Sequence, residues 1–216
     1  MAKKLGKLST EPLDKVLEGV DLSEASAPQR RAGDDARALF ERLSSAGAAI
    51  DALKVAAAAL PKREAVWMAL RCVSTLANDA TPPTQRAALD AARAWVDEPN
   101  DERRRACNDA AEKAGLDKPF GCVALAAYMS GGSLGPPDVP PIPPAEFLCG
   151  VASGLALEIA LQQLPRAEMT GVAQRFVALA REVDQQSAPW DAPAETASAS
   201  APTTSTPAAA KRTPRR

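Results

Sequence analysis

Ser130-Gly131-Gly132-Ser133-Leu134-Gly135 followed by Pro136-Pro137-Asp138-Val139-Pro140-Pro141-Ile142-Pro143-Pro144 interrupts an otherwise alanine-rich chain. Proline fixes the backbone φ angle and removes an N–H donor, so this segment can form neither a helix nor a central strand. The twenty residues that follow, 145–164, are apolar on nearly every side. A helix with so little polar surface is normally buried in the centre of a bundle. The two segments together predict a stiff connection that leads into a central helix.

On both sides of this segment, the chain has the pattern of helices separated by proline and glycine. Alanine is the best helix former, and β-branched runs with period-two alternation are missing. We therefore predict an all-α fold of seven or eight helices, arranged as a single bundle or as a short solenoid-like array. The expected helix starts lie at or just before Pro12, Pro61, Pro83, Asp101, Pro119 and Pro165.

The composition divides the chain into three parts. Residues 1–7 are expected to be a flexible N-terminus, residues 8–184 a helical domain and residues 185–216 a disordered tail. The tail consists largely of Ala, Pro, Ser and Thr, and Trp190 is its only large apolar residue. Such a segment cannot bury enough surface to offset the entropy lost on ordering.

The residue types present argue against an enzyme. The chain has no histidine, which removes Ser-His and Cys-His nucleophile activation and the commonest metal ligand. Its four cysteines, Cys72, Cys107, Cys122 and Cys149, are too far apart in sequence for a zinc or redox motif, and we expect them in the core. No catalytic, cofactor-binding or metal-ligating residue is predicted.

Charge and apolar pattern indicate a cytoplasmic protein. The N-terminus lacks the apolar region of a secretory signal, and the longest apolar run is interrupted by Glu158, so no membrane span is expected. Residues 185–216 carry a net charge of +2 against −3 for the remainder. Four basic residues on a disordered tail would give only weak, unspecific attraction to nucleic acid.

Two hypotheses compete for the proline-rich segment. Prolines spaced three residues apart could form a ligand for an aromatic groove, whereas Val139 and Ile142 favour a strut that packs on the domain surface. We prefer the strut, which in polyproline conformation would extend about 28 Å over nine residues. Because prolines follow instead of a helix, Gly131-Gly132-Ser133 is no phosphate loop, and its glycines are expected to cap the helix that ends at Tyr128.

Other candidate positions are weaker. Trp67 and Trp95 lie beside apolar helix stripes and are expected in the core or lining a groove. Arg103-Arg104-Arg105 follows two acidic residues, which is typical of a solvated helix face with local ion pairs. The candidate interaction or structural residues are thus Trp67, Trp95, Tyr128, Ser130, Gly131, Gly132, Ser133, Leu134, Pro136, Pro137, Val139 and Ile142.

Residues 60–160 resemble an uncharacterised family of bacterial helical proteins. The resemblance rests on several short motifs: Leu60-Pro61, Trp67, Arg71-Cys72, Ala94-Trp95-Val96, Pro99, residues 110–116 and, most specific of all, residues 130–144. Members of that family are often encoded beside type VI secretion genes. A looser likeness, in the order of a Trp-containing helix and an alanine-rich helix, is to a helical immunity-protein family whose later helices carry histidines that this chain lacks.

The resemblance brings no assigned activity, but together with the missing catalytic residues it predicts a non-enzymatic cytoplasmic accessory or protein-interaction component of a bacterial type VI-like secretion system. The expected partner is a protein, either a secretion component or an effector. The alternative is an immunity-type protein that binds and neutralises a toxin effector.

Overall fold

The structure is a computed structural model and describes residues 6–136 and 138–191. All regular elements within these residues are helical, which confirms the all-α prediction. The α-helices are α1 (Leu13–Val16), α2 (Ala36–Ser45), α3 (Ala49–Ala59), α4 (Lys62–Ser74), α5 (Pro83–Asp97), α6 (Asp101–Ala114), α7 (Pro119–Tyr128), α8 (Leu148–Gln162) and α9 (Arg166–Gln185). Single turns of 3-10 helix span Ala27–Gln29 and Pro189–Asp191.

Most helix boundaries follow the proline and polar punctuation of the chain. The Asn100 side chain accepts a hydrogen bond from the Arg103 N–H at 2.9 Å and so begins α6, as the sequence predicts. Asp35 caps α2 in the same way, through the Ala38 N–H at 2.8 Å. Proline stands at or next to the start of α4, α5, α7 and α9. Local chemistry therefore decides where these helices begin.

Helix α8 occupies the centre of a bundle. It packs against α3, α4 and α7, while α5 and α6 pack with α7 on one side and α2 and α9 pack with α3 on the other. In a solenoid each unit contacts only its neighbours along the chain. Because α8 returns between α3 and α7, the fold is a bundle.

The contact between α8 and α3 depends on small residues. A Cβ atom added to Gly150 would lie 2.9 Å from the Cα of Ala58 and 3.0 Å from the carbonyl oxygen of Ala57. One turn later, a Cβ on Gly154 would come within 3.3 Å of the Cα of Lys54. The backbones of the two helices can approach this closely only because these glycines have no side chain.

The four cysteines are buried core residues, as predicted. Burial raises the pKa of the Cys149 thiol to about 12 and that of Cys122 to about 11. Their thiols are thus protonated at neutral pH and behave as small apolar groups.

The segment Gly6–Ser9, which we call the strap, ties the N-terminal end of the chain to the bundle. The Lys7 N–H donates to the carbonyl oxygen of Asp184 at 3.0 Å, and the Leu8 N–H donates to the Asp184 carboxylate at 2.9 Å. Arg37 on α2 forms a two-pronged ion pair with the same carboxylate, which is almost fully buried.

The folded unit therefore extends slightly beyond the predicted 8–184. Gly6 and Lys7 are held by the strap contacts, and α9 continues to Gln185. The compact unit that contains the helices closes at Gln186. Residues 1–5 and 192–216, which include most of the predicted tail, lie outside the described residues.

Candidate interaction site

Residues 134–142, which we call the proline loop, close on themselves. The Leu134 N–H donates to the carbonyl oxygen of Ile142 at 2.8 Å. The Ser133 hydroxyl oxygen accepts from the N–H groups of both Gly135 and Ile142, each at 3.1 Å. A loop of this length with joined ends is an Ω-loop, a class that is frequently functional. The expectation of an extended run of about 28 Å over residues 136–144 is therefore wrong, because the chain turns back between Leu134 and Ile142.

The apolar side chains of the proline loop form an exposed tip. Val139 and Ile142 sit over Gly135, where a Cβ would meet their methyl groups at 3.0 and 3.5 Å. Val139 is nevertheless 39% exposed and Ile142 is 56% exposed. The loop thus packs on itself and presents apolar surface outward, which does not fit a strut that buries these two side chains on the domain.

A buried arginine holds the base of the loop. Arg104 on α6 is only 4% exposed, and it donates to the carbonyl oxygens of Tyr128 at 3.0 Å and Ser133 at 2.9 Å. It also donates to one carboxylate oxygen of Asp101 from two nitrogens, at 2.9 and 2.7 Å. The prediction of a solvated arginine face is therefore wrong for Arg104.

Two further side chains complete this base. The Tyr128 hydroxyl donates to the Leu134 carbonyl oxygen at 2.9 Å, and the Tyr128 ring lies 4.9 Å from the Arg104 guanidinium carbon. Arg105 donates to the Gly135 carbonyl oxygen at 3.1 Å and to Asp101 at 2.8 Å. Hydrogen bonds from Arg105 and Arg104 hold the pKa of the Asp101 carboxyl below its usual range, so this acid stays ionised at neutral pH.

The choice of arginine follows from the chemistry of the loop. The carbonyl oxygens of Tyr128, Ser133 and Gly135 all accept from arginine side chains of α6, so the base of the loop draws its donors from another helix. Arginine carries five N–H donors and no acceptor, and its planar head reaches several carbonyls at once. Gly132 lies against this head with φ near +65°, and a Cβ there would come within 2.7 Å of the Arg104 Nε.

The structure brings together only part of the predicted residue set. Tyr128, Ser133, Leu134, Val139 and Ile142 meet at the loop, and Gly132 contacts its arginine base. The expectation that Gly131 and Gly132 cap α7 is wrong, because Met129 is the C-cap of that helix and Gly132, the glycine with a left-handed φ angle, lies three residues farther along the chain. Ser130 is half-buried, a Cβ on Gly131 would meet open space, Pro136 is exposed, and Pro137 lies outside the described residues.

The two candidate tryptophans, Trp67 and Trp95, lie elsewhere in the bundle. Trp95 on α5 is 5% exposed and is a core residue. Trp67 on α4 is half-buried between two cations, with the Arg71 guanidinium carbon 5.2 Å and the Lys7 ammonium nitrogen 5.8 Å from its ring centre. Trp67 therefore lies beside the strap and not at the proline loop.

Sequence reasoning missed Arg104 and Asp101. A signal was present, because Arg104 stands in the same helical stripe as the buried Cys107, Ala111 and Ala114. A charged residue in the apolar stripe of a helix faces the interior and needs a buried partner. The carbonyl oxygens of Tyr128 and Ser133 are the acceptors that this pattern requires.

The described residues contain neither a candidate metal cluster nor a candidate membrane span. No three or more His, Cys, Asp or Glu side chains are grouped there as metal ligands would be. None of the described helices has both the length and the apolar character needed to cross a membrane.

Comparison with known proteins identifies a family. Residues 39–184, which run from α2 to the end of the bundle and contain the proline loop, match a family of unknown function, DUF6931. The chain belongs to this family. No curated protein and no solved structure matches the chain.

Proposed function

We propose that this protein is a non-enzymatic protein-interaction component associated with a bacterial type VI-like secretion system, and that it docks a protein partner through the tip of the proline loop. The observation that carries the proposal is the exposure of Val139 and Ile142 on a loop with a fixed base. The association with secretion rests on the resemblance of residues 60–160 to a family often encoded beside type VI genes.

The rigidity of the loop base supports a role in binding. Ordering a flexible loop on association costs about 0.5–1.5 kcal/mol for each immobilised side chain. Here, Arg104 and the Ser133 hydroxyl hold the backbone before any partner arrives. An apolar tip on such a base can bind with little loss of entropy.

The chemistry of the chain supports a non-enzymatic role. It contains no histidine, and its cysteines are buried with raised thiol pKa values. The described residues thus offer neither a His base nor a reactive thiolate. The cytoplasm, where thiols remain reduced, is the compartment that we propose.

The test is affinity purification of the tagged full-length protein from its native cells, with quantitative identification of what is bound. We expect a secretion component or effector to be enriched with the wild type. Ile142→Asp should reduce that enrichment about tenfold, because it places a charge where an apolar contact is needed.

Leu116→Asp is the matched control, since Leu116 is 49% exposed and lies between α6 and α7, outside the proline loop. It should retain the partner. Equal losses with both variants, or a wild-type protein that purifies as a monomer without a partner, would contradict the proposal. If the enriched partner is a toxin and the wild type protects cells from it, the immunity-type alternative is the correct function.

A further inference from the structure

Residues 140–144, which we call the polyproline run, leave the tip of the proline loop as a straight segment. The loop turns just before them, where the Val139 N–H donates to the carbonyl oxygen of Pro136 at 3.4 Å. From Pro140 to Ala145 the chain neither turns nor bends. Proline fixes its own φ angle and keeps the residue before it out of the helical region. Because four of these five residues are proline, the run adopts the polyproline II conformation over about 15 Å.

A polyproline II helix has three residues per turn, so the run presents three edges. Ile142 faces back into the loop, where a Cβ added to Gly135 would meet its terminal methyl group at 3.5 Å. Pro144 is buried against the domain. The remaining edge consists of Pro140 and Pro143, which are three residues apart and both exposed. We call these two residues the proline edge.

The backbone of the run offers acceptors and no free donor. Its only N–H belongs to Ile142, which donates to the Ser133 hydroxyl oxygen at 3.1 Å. Within the described part of the chain, the carbonyl oxygens of Pro140, Pro141 and Pro143 accept no hydrogen bond. A partner that adds a β-strand needs both donors and acceptors along the segment, so this mode of binding does not fit. The partner has to supply side-chain donors.

Aromatic side chains meet both requirements of the proline edge. The ring of Trp or Tyr packs on the apolar proline rings, and its N–H or O–H donates to a carbonyl oxygen. Grooves lined with such side chains are the usual receptors for prolines spaced three residues apart. Proline already restricts the run, and Arg104 holds the base of the loop, so little entropy is lost on binding.

Asp138 adds a charge to this apolar surface. It is the only charged residue between positions 130 and 145, and it is exposed at the turn that precedes the run. It forms neither an ion pair nor a hydrogen bond with any residue that the structure describes. A basic residue on the partner would complement this carboxylate, whereas an acidic residue would be repelled by it.

We propose that the proline edge enters a groove lined with aromatic side chains on the protein partner, and that a basic residue beside this groove pairs with Asp138. This partner chemistry rests on the proposed function, because it specifies how the tip of the loop docks. An aliphatic groove, a strand edge and an acidic surface do not match the same loop.

The probes for the first test are two WW domains, small modules with an aromatic groove for proline. They share that groove and differ at one residue beside it, which is lysine in one and glutamate in the other. Titration of the isotope-labelled full-length protein should give saturable shifts of the Asp138, Val139 and Ile142 amide signals, and about fivefold tighter binding of the lysine form. Asp138→Lys should reverse that preference. Absence of saturable shifts, or no preference between the two domains, would overturn the proposal.

Substitution of the proline edge locates the contact. Pro140→Ala/Pro143→Ala should weaken binding of the lysine form about tenfold or more. Pro82→Ala/Pro99→Ala is the matched control, because it removes two exposed prolines from the ends of α5, and it should bind like the wild type. Unchanged amide signals of residues outside 136–145 show that each variant is folded. Equal effects of the two double variants would refute the assignment.

The native partner from the affinity purification separates this proposal from the proposed function. A partner that is lost with Ile142→Asp but retained by Pro140→Ala/Pro143→Ala would leave the proposed function standing and overturn the aromatic groove. The expected pattern with the two WW domains, but no native partner, would support the polyproline ligand and contradict the proposed function. Self-association of the wild type that Ile142→Asp abolishes would place a second copy on the tip and overturn the proposal.

Discussion

The proline loop and the strap are both irregular segments held by a buried charge, but the charges are of opposite sign. At the loop the buried group is the Arg104 guanidinium, which donates to two backbone carbonyl oxygens. At the strap it is the Asp184 carboxylate, which accepts from the Leu8 N–H and from Arg37. The sign of the buried charge follows the backbone groups that it meets, which are the carbonyl acceptors of Tyr128 and Ser133 at the loop base and the Leu8 N–H donor at the strap.

The two regions share a second feature. Gly132 lies against the head of Arg104, and Gly6 lies against the ion pair of Arg37 with Asp184. A Cβ at either position would collide with the charged groups. In both regions a glycine lets the backbone approach a buried ion closely enough to be fixed by it.

The largest expected effect is at the loop. Arg104→Met removes every donor to the carbonyls of Tyr128 and Ser133 while keeping much of the side-chain volume, so we expect a loss of about 3 kcal/mol in the free energy of unfolding. Urea denaturation measures this loss. Arg105→Met is the matched control, since Arg105 is partly exposed, and it should cost about 1 kcal/mol or less. Equal losses of unfolding free energy for the two variants would mean that the burial of Arg104 does not determine how much it stabilises the fold.

The second-largest expected loss of stability is at the strap. Asp184→Asn keeps an acceptor for Leu8 but removes the charge that Arg37 needs, so we expect a loss of about 2 kcal/mol at neutral pH. Asn in place of the exposed Asp90 on α5 should change the stability by less than about 0.5 kcal/mol. A stability of Asp184→Asn equal to the wild type would show that the ion pair contributes nothing net.

The contribution of the Asp184 carboxylate to stability should also appear in the dependence of stability on pH. Burial by itself would raise the pKa of the Asp184 carboxyl, but hydrogen bonds from Arg37 and Leu8 outweigh burial and hold that pKa below its usual range. The stabilisation is therefore complete above the unfolded-state pKa of about 3.9 and is lost as the pH falls through the lower folded-state value. Urea midpoints measured between neutral pH and pH 2 should fall less steeply for Asp184→Asn than for the wild type. Parallel curves would contradict this assignment.

The smallest effect separates two adjacent glycines of the loop base. Gly132→Ala forces a side chain into a left-handed backbone and against Arg104, which should cost about 1–2 kcal/mol. Gly131→Ala points into open space at an ordinary φ and should be nearly neutral. Thermal unfolding of the two variants measures the difference. If both are neutral, Arg104 moves freely and the base of the loop is not fixed.

Much of the bundle could be predicted because helix starts depend on local chemistry. The Asn100 side chain begins α6 by accepting from a backbone N–H, and the fixed φ angles of Pro83 and Pro165 suit the starts of α5 and α9. These effects involve only residues nearby in sequence. The buried position of α8 could also be predicted from its nearly uniform apolar surface. Which helices pack against α8 could not be predicted, because the fit of Gly150 against α3 depends on two backbone segments that are far apart in the chain.

The candidate site could be predicted only in part. The sequence identifies Ser133, Val139 and Ile142 as part of one unusual segment and Tyr128 as the residue just before it, yet it predicts an extended segment. Its closure depends on the hydrogen bond between Leu134 and Ile142 and on Arg104 from a different helix. Periodicity along one helix shows that Arg104 faces inward, but it does not show which carbonyls the guanidinium will meet.

The helical class, the helix starts and the place where regular structure must stop follow from local sequence alone, since propensity, proline geometry and capping act over a few residues. Tertiary structure decided that residues 134–142 fold into a closed loop with an exposed apolar tip. It also decided that one arginine of three is buried and that Gly6 and Lys7 join the bundle. These outcomes depend on donors and acceptors that meet only after the helices have packed, because a buried polar group must find its partner wherever the fold places it.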